Sequence, residues 1–264
     1  MQNIHDEISR IGKQLMLSEP FYGVFLSTLN KTIGNDVPTA GVCKQGINYK
    51  LVVNEEFWNS LSTDKKKIGL LKHELLHICF HHLVERESYP DHALHNIAAD
   101  VEINQYLTPD YYPTPEILLP SSFPELKLPL KAGAREYYRL LQKALDEGSS
   151  PHLQNLMDCL REEGQGLHPT WKEFDELSDA EKKLVEAQLK HQIKQVLESS
   201  KDMGFIPSEL KSYIDELLEE TPPSYDWKSY FRRFFGSSSK VYTKKTRRKY
   251  NKRFPSNQIG RAHV

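Results

Sequence analysis

The chain has 264 residues, with 35 Lys and Arg against 36 Asp and Glu, a formal charge of −1, and 38% hydrophobic residues. That suits one large domain or two small ones around a modest core, and it excludes compositional disorder. No apolar run nears the roughly 18 residues of a membrane helix, the polar start MQNIHDEISRIGKQ has no secretory h-region, and Cys43, Cys79 and Cys159 are too scattered for a disulfide framework, so a cytoplasmic setting is expected.

Ile4, Ile8, Ile11 and Leu15 recur at helical spacing and predict a helix over 3–18, followed by a second over about 19–33. Residues 38–43 and 47–53 predict two short strands joined through Gly46 as a hairpin, and 54–58 predicts a turn or short helix. Ser62-Thr63-Asp64 is an N-cap cluster ahead of a long helix over 64–86, with Ile68, Leu71, Leu75, Ile78 and Leu83 among its apolar residues. Pro90 ends it, since proline disfavours the helical conformation in the residue before it. Another helix is expected at 92–107, then an irregular stretch over 108–130 punctuated by Pro109, Pro113, Pro115 and Pro120. Helices are expected again over 133–147, 177–200 and 207–219, with a loop at 148–176. Pro222-Pro223 marks a domain boundary: a body over 1–222, then 223–264 with an aromatic helix from Trp227 to Phe235, a Gly236–Ser239 linker and a basic tail.

The charge is unevenly spread. Residues 228–264 hold twelve Lys and Arg and no Asp or Glu, leaving 23 basic (35 less 12) against 36 acidic residues in 1–227, a net of −13. Tail cations such as Lys244, Arg247 and Arg248, interleaved with Tyr242 and Tyr250, suit a nucleic-acid backbone with stacked bases. The preferred expectation is plainer: a solvated linker that docks on the acidic body or leads to a further domain, with nucleic acid not the expected partner.

The segment that carries chemistry is His73-Glu74-Leu75-Leu76-His77, an HExxH on a predicted helix. Residues four apart lie about 40° apart around the axis, so both imidazoles can share one metal ion. Glu74 is placed to take a proton from water as the general base. Zn2+ suits this set, being redox-silent and content with two His, a carboxylate and one open position. Without a metal, an apolar helix would bury His-Glu-His on one stripe at a cost with nothing to offset it.

A third ligand follows from the turn. If helices 64–86 and 92–107 pack antiparallel around a turn near Ser88, His77 faces Asp100, His73 faces Asn104 and His81 faces Asn96. Asp100 is the only carboxylate on that four-residue stripe and is the expected ligand, with Asn96 and Asn104 orienting the ligands. His81, one turn past His77, is the other candidate. His82 lies about 180° around a continuous helix from His73 and is expected at the surface or in packing. Glu102, about 160° from Asp100, is expected to be solvated, and His92 and His95 to lie away from the metal. Tyr or His residues in 106–112 or at 168 are candidates for stabilising a developing oxyanion. Phe80 and Leu83 stand where metzincins have Gly and His, which excludes that subclass.

HELLHICFHHLVER followed by HNIAADVEINQYL resembles a family of predicted bacterial and phage metallopeptidases, often encoded with a von Willebrand factor A-like domain downstream. The resemblance also takes in Pro38–Val42, Leu51–Asn54, Tyr225–Trp227 and Arg247-Arg248. It implies an α+β, zincin-like fold: a small sheet packed on the HExxH helix, with a mostly helical remainder. It also implies His73, His77 and Asp100 as metal positions, Glu74 as base, a protein or peptide substrate, and a MoxR-type AAA+ ATPase as partner. These 264 residues hold no Asp-x-Ser-x-Ser motif, so the downstream domain is expected to be absent and that partnership weakened. The expected activity is peptide hydrolysis by metal-activated water. The alternative is a catalytically silent or gated zinc-binding interaction module, which would hold metal without turnover.

Overall fold

The computed structural model describes residues 3–162, 168–200 and 208–219. It is an α+β fold in which many helices surround one small sheet. Helix α1 (Ile4–Ser18) is opened by Asn3, whose side chain accepts from the His5 N–H, and it buries the predicted stripe Ile4, Ile8, Ile11 and Leu15. Helix α2 (Pro20–Thr28) starts on proline and stops five residues short of the expected end. The chain then forms strand β1 (Asn30–Ile33), whose four residues are too polar and too short to carry a legible alternation. Strands β2 (Ala40–Gln45) and β3 (Asn48–Val53) form the expected hairpin, with Gly46 in the left-handed conformation at φ 63°. β1 pairs parallel to β3 on its other side, so the order is β1-β3-β2 and β2 is an edge.

Helix α3 (Glu55–Ser60) leads into α4 (Asp64–Cys79), capped by Thr63, whose hydroxyl accepts from the Lys66 N–H. Helix α4 is buried on most of its circumference: Ile68, Leu71, Leu75 and Ile78 join the core shared with α1, α2 and the sheet. Its buried Lys72 is held by Glu19 at 2.8 Å and lies over the Tyr22 ring. The expected helix over 64–86 is not continuous. It breaks at Phe80 and His81, the latter left-handed at φ 60°, and a separate short helix, α5 (His82–Glu85), follows.

Helix α6 (His92–Ile103) is capped by Asp91 and ends in a 3₁₀ turn over 104–106. Residues 108–130 are irregular, as the prolines predict, with 3₁₀ turns at 109–111, 120–122 and 124–126. Helices α7 (Ala134–Asp146) and α8 (Pro151–Glu162) pack on α6 through a second core of Leu94, Ile97, Val101, Tyr137, Leu141, Leu153 and Met157. The loop expected over 148–176 is therefore corrected: it contains α8, a 3₁₀ turn at 169–171 and α9 (Lys172–Asp175). Leu153, Met157 and Leu160 carry the helical spacing of α8 and are buried, though Gly, Ser and Pro at its start hide it. Helices α10 (Asp179–Ser200) and α11 (Ser208–Glu219) match the sequence-based expectation. The expected boundary at Pro222-Pro223, the aromatic helix and the basic tail lie outside the described residues. Among the described residues, no helix is long and apolar enough to cross a membrane.

Candidate metal centre

Helices α4 and α6 run antiparallel between the two cores, in the register the turn predicts. His77 Nε2 lies 3.1 Å from Asp100 Oδ1, and His73 Nδ1 lies 2.9 Å from Asn104 Oδ1. His73 Nε2 is 3.1 Å from His77 Nε2 and 3.5 Å from Asp100 Oδ1. A fourth group joins them from the segment before α9: His168 Nε2 is 3.1 Å from the same Asp100 oxygen. One ligand atom from each of His73, His77, Asp100 and His168 lies within 4.8 Å of every other. Two ligands at ~2.0–2.1 Å from a tetrahedral zinc are ~3.3 Å apart, and the close separations here bracket that value.

Hydrogen bonding behind the rings fixes which nitrogens face inward. The Asn104 amide nitrogen donates to the Leu118 carbonyl at 3.0 Å, so its oxygen accepts from His73 Nδ1–H and the Nε2 lone pair points into the cluster. Behind His77 stands a longer chain. Glu102 Oε2 accepts from the Ala134 N–H at 2.7 Å and from His82 Nε2–H at 3.0 Å. With neutral imidazoles, His82 Nδ1 then accepts from His77 Nδ1–H at 3.0 Å, which leaves the His77 Nε2 lone pair facing Asp100 and His73. Burial, reinforced by His168, holds His77 well below its ordinary pKa and so keeps it neutral. Burial opposes ionisation of Asp100, yet the charge of His168 and its single hydrogen bond hold the carboxyl well below the usual carboxylate range. Lone pairs of two imidazoles and a carboxylate thus converge in a buried space, which is the donor set a divalent cation satisfies.

Two expectations are corrected by the break at His81. His82 is neither at the surface nor mere packing: it is buried and stands directly behind His77. Glu102 is not solvated but buried, as the end of that chain. His81 itself turns away from the stripe, its Nε2 buried without a hydrogen-bond partner among the described residues, so it does not pair with Asn96. The Asn96 oxygen is likewise unpartnered, whereas Asn104 does reach its histidine. His95 lies behind His82, stacked on Tyr89 with centroids 4.3 Å apart.

Glu74 faces a cleft of about 250 Å³ that is also lined by His73, Asp100, Asn104 and His168. Its apolar walls are Pro38, Phe57, Leu70, Ile117, Leu118 and Leu160. Burial pushes the Glu74 carboxyl above its ordinary pKa, against the opposing charge of His73 and His168 and a hydrogen bond from the Val42 backbone. Its Oε2 has no hydrogen-bond partner among the described residues. His168 as a donor was not foreseen in the sequence. It lies over 60 residues from Asp100 in a segment with no metal-ligand spacing, and it reaches the cluster through tertiary contacts: its stack on buried Trp171 (centroids 4.1 Å apart) and the ties of Thr170 and Glu173 to strand β2.

An HExxH helix and a neighbouring helix thus converge, in an α+β domain, on one cluster of donors that could hold a metal ion. The chain belongs to the family described as "Putative metallopeptidase domain", whose model matches residues 7–262. No curated protein and no solved structure matches it.

Proposed function

We propose that the chain is a zinc-dependent peptidase in which His73, His77 and Asp100 hold the ion and Glu74 is the general base. The observation that carries this reading is the convergence of three inward-facing donors beside a buried, unpartnered carboxylate oxygen that opens on an apolar cleft. Bound zinc supplies Lewis-acid polarisation of a carbonyl and acidification of water. Glu74 Oε2 receives the proton that the attacking water gives up, and its raised affinity for protons fits that task. The Val42 N–H, on edge strand β2, keeps the carboxyl aimed at the cleft. Phe57, Leu70 and Ile117 exclude bulk water and favour a substrate with a bulky apolar side chain. Of the partners implied by the resemblance, the cleft supports the peptide substrate, while the AAA+ ATPase remains an implication of the resemblance alone.

The test is elemental analysis combined with hydrolysis of a peptide library. Wild type is expected to hold about one zinc per chain, His77→Ala and Asp100→Ala to lose it, and Glu74→Gln to keep the metal while losing turnover by about 10²-fold or more. Metal without turnover in wild type, on any peptide tried, favours the silent interaction module instead. Absence of metal from wild type purified with zinc sinks both readings.

A further inference from the structure

Three of the four converging donors are held on regular helices: His73 and His77 on α4, each with its second ring nitrogen engaged, and Asp100 on α6. His168 differs on both counts. It precedes a 3₁₀ turn, and its Nδ1 is buried without a hydrogen-bond partner among the described residues. Groups behind a ligating histidine fix its orientation and raise its basicity, so the imidazole lacking one is the weakest donor of the set. A zinc site with four protein ligands is closed, whereas a hydrolytic one keeps a position open.

We propose that His168 is a displaceable fourth ligand: it closes the centre in the resting chain and swings off when a substrate enters the cleft. The proposal rests on reading the cluster as the centre of a metal-dependent hydrolase. The backbone around His168 is pinned, which confines the motion to the ring. The Thr170 hydroxyl donates to the Val42 carbonyl at 2.7 Å, Glu173 accepts from the Lys44 N–H at 3.0 Å, and Trp171 is fully buried. Val42 and Lys44 lie two apart on β2, so the segment is stitched along the outer edge of the sheet. His168 already lines the cleft, which gives the ring somewhere to turn without moving Trp171. The resting enzyme is thereby shielded from adventitious ligands, and the entering peptide must displace an imidazole as well as bind.

The test uses the full chain loaded with cobalt(II), whose visible spectrum reports the ligand set, titrated with acetohydroxamate as a metal-directed probe. Wild type is expected to show four-coordinate bands that resist the probe. His168→Ala is expected to retain about one cobalt per chain and to bind the probe about tenfold or more tightly than wild type, because one position stands open. His168→Phe, which keeps the stack on Trp171 but removes the donor, should behave in the same way and decides the matter if the alanine variant does not fold. Equal probe affinity in wild type and both variants overturns the proposal, because the position was never closed. Loss of cobalt from both folded variants also overturns it, by making His168 an obligatory structural ligand. Wild type that takes up no cobalt at all fails at the metal reading itself, an outcome distinct from either.

Discussion

Glu102 and His82 touch neither the cleft nor the converging donor atoms, yet they decide which nitrogen His77 offers. Removing either should act on the metal before anything else. His82→Ala and Glu102→Ala are each expected to weaken metal binding by about 10–100-fold, measured by competition with a chromophoric chelator. Glu102→Ala also leaves the Ala134 N–H and the His82 ring without an acceptor in a buried place, which should cost about 1–3 kcal/mol in a urea melt of the metal-free chain. The conservative Glu102→Gln keeps an acceptor for His82 and should recover much of the metal affinity. If the chain of hydrogen bonds were only packing, glutamine and alanine would differ in stability while binding metal alike.

Helix α4 shows what the sequence can and cannot say. Its cap at Thr63, its buried stripe and its register against α6 were all legible, because cap chemistry and a four-residue period are local signals. Its end was not. Phe80 and His81 carry no glycine or proline stop signal, although histidine enters the left-handed region more readily than most side chains, as His81 does here. The same limit hid His168, because long-range convergence leaves no spacing to read. Gly69 marks a second such contact, one turn before His73. A Cβ at this position would fall 1.6 Å from the Tyr111 carbonyl oxygen, so the irregular segment that continues into Pro113, Thr114 and Ile117 of the cleft wall can approach only a glycine. Helix propensity alone makes Gly69→Ala favourable by about 1 kcal/mol. The clash is with backbone and should outweigh that gain, for a net loss of about 1–3 kcal/mol. Metal content should stay near wild type while KM rises, a split that steady-state kinetics and elemental analysis read separately.

At the scale of the whole molecule, the helices around α4 and α6 bury histidines that lie outside the donor cluster, and these tie stability to pH. Burial presses His81 down to about 4, with Lys190 and His82 adding to the effect and Glu186 opposing it. Burial presses His95 lower still, helped by charge on His82, Arg86, His168 and His92. Both nitrogens of His95 lack hydrogen-bond partners among the described residues, so no acceptor stabilises the charged form of the ring stacked on Tyr89. Between pH 6.5 and 4 the unfolded chain therefore binds protons at these positions that the folded chain refuses, so folding stability falls as pH falls. Each histidine contributes a slope of up to about 1.4 kcal/mol per pH unit. Glu85, raised chiefly by burial, has the opposite sign, since its folded carboxyl takes up a proton before the unfolded one does, and it offsets part of the loss. Urea melts of the metal-free chain at pH 7.5, 6.5, 5.5 and 5.0 should show stability nearly flat above pH 7 and declining below 6.5. His95→Leu removes one of the three depressed rings, His77, His81 and His95, without adding a polar group, so it should reduce that decline by about one proton whatever it does to absolute stability. A slope unchanged in His95→Leu would show that the ring takes up protons as readily in the folded chain as in the unfolded one, and the buried neutral layer behind the donor cluster would have to be abandoned.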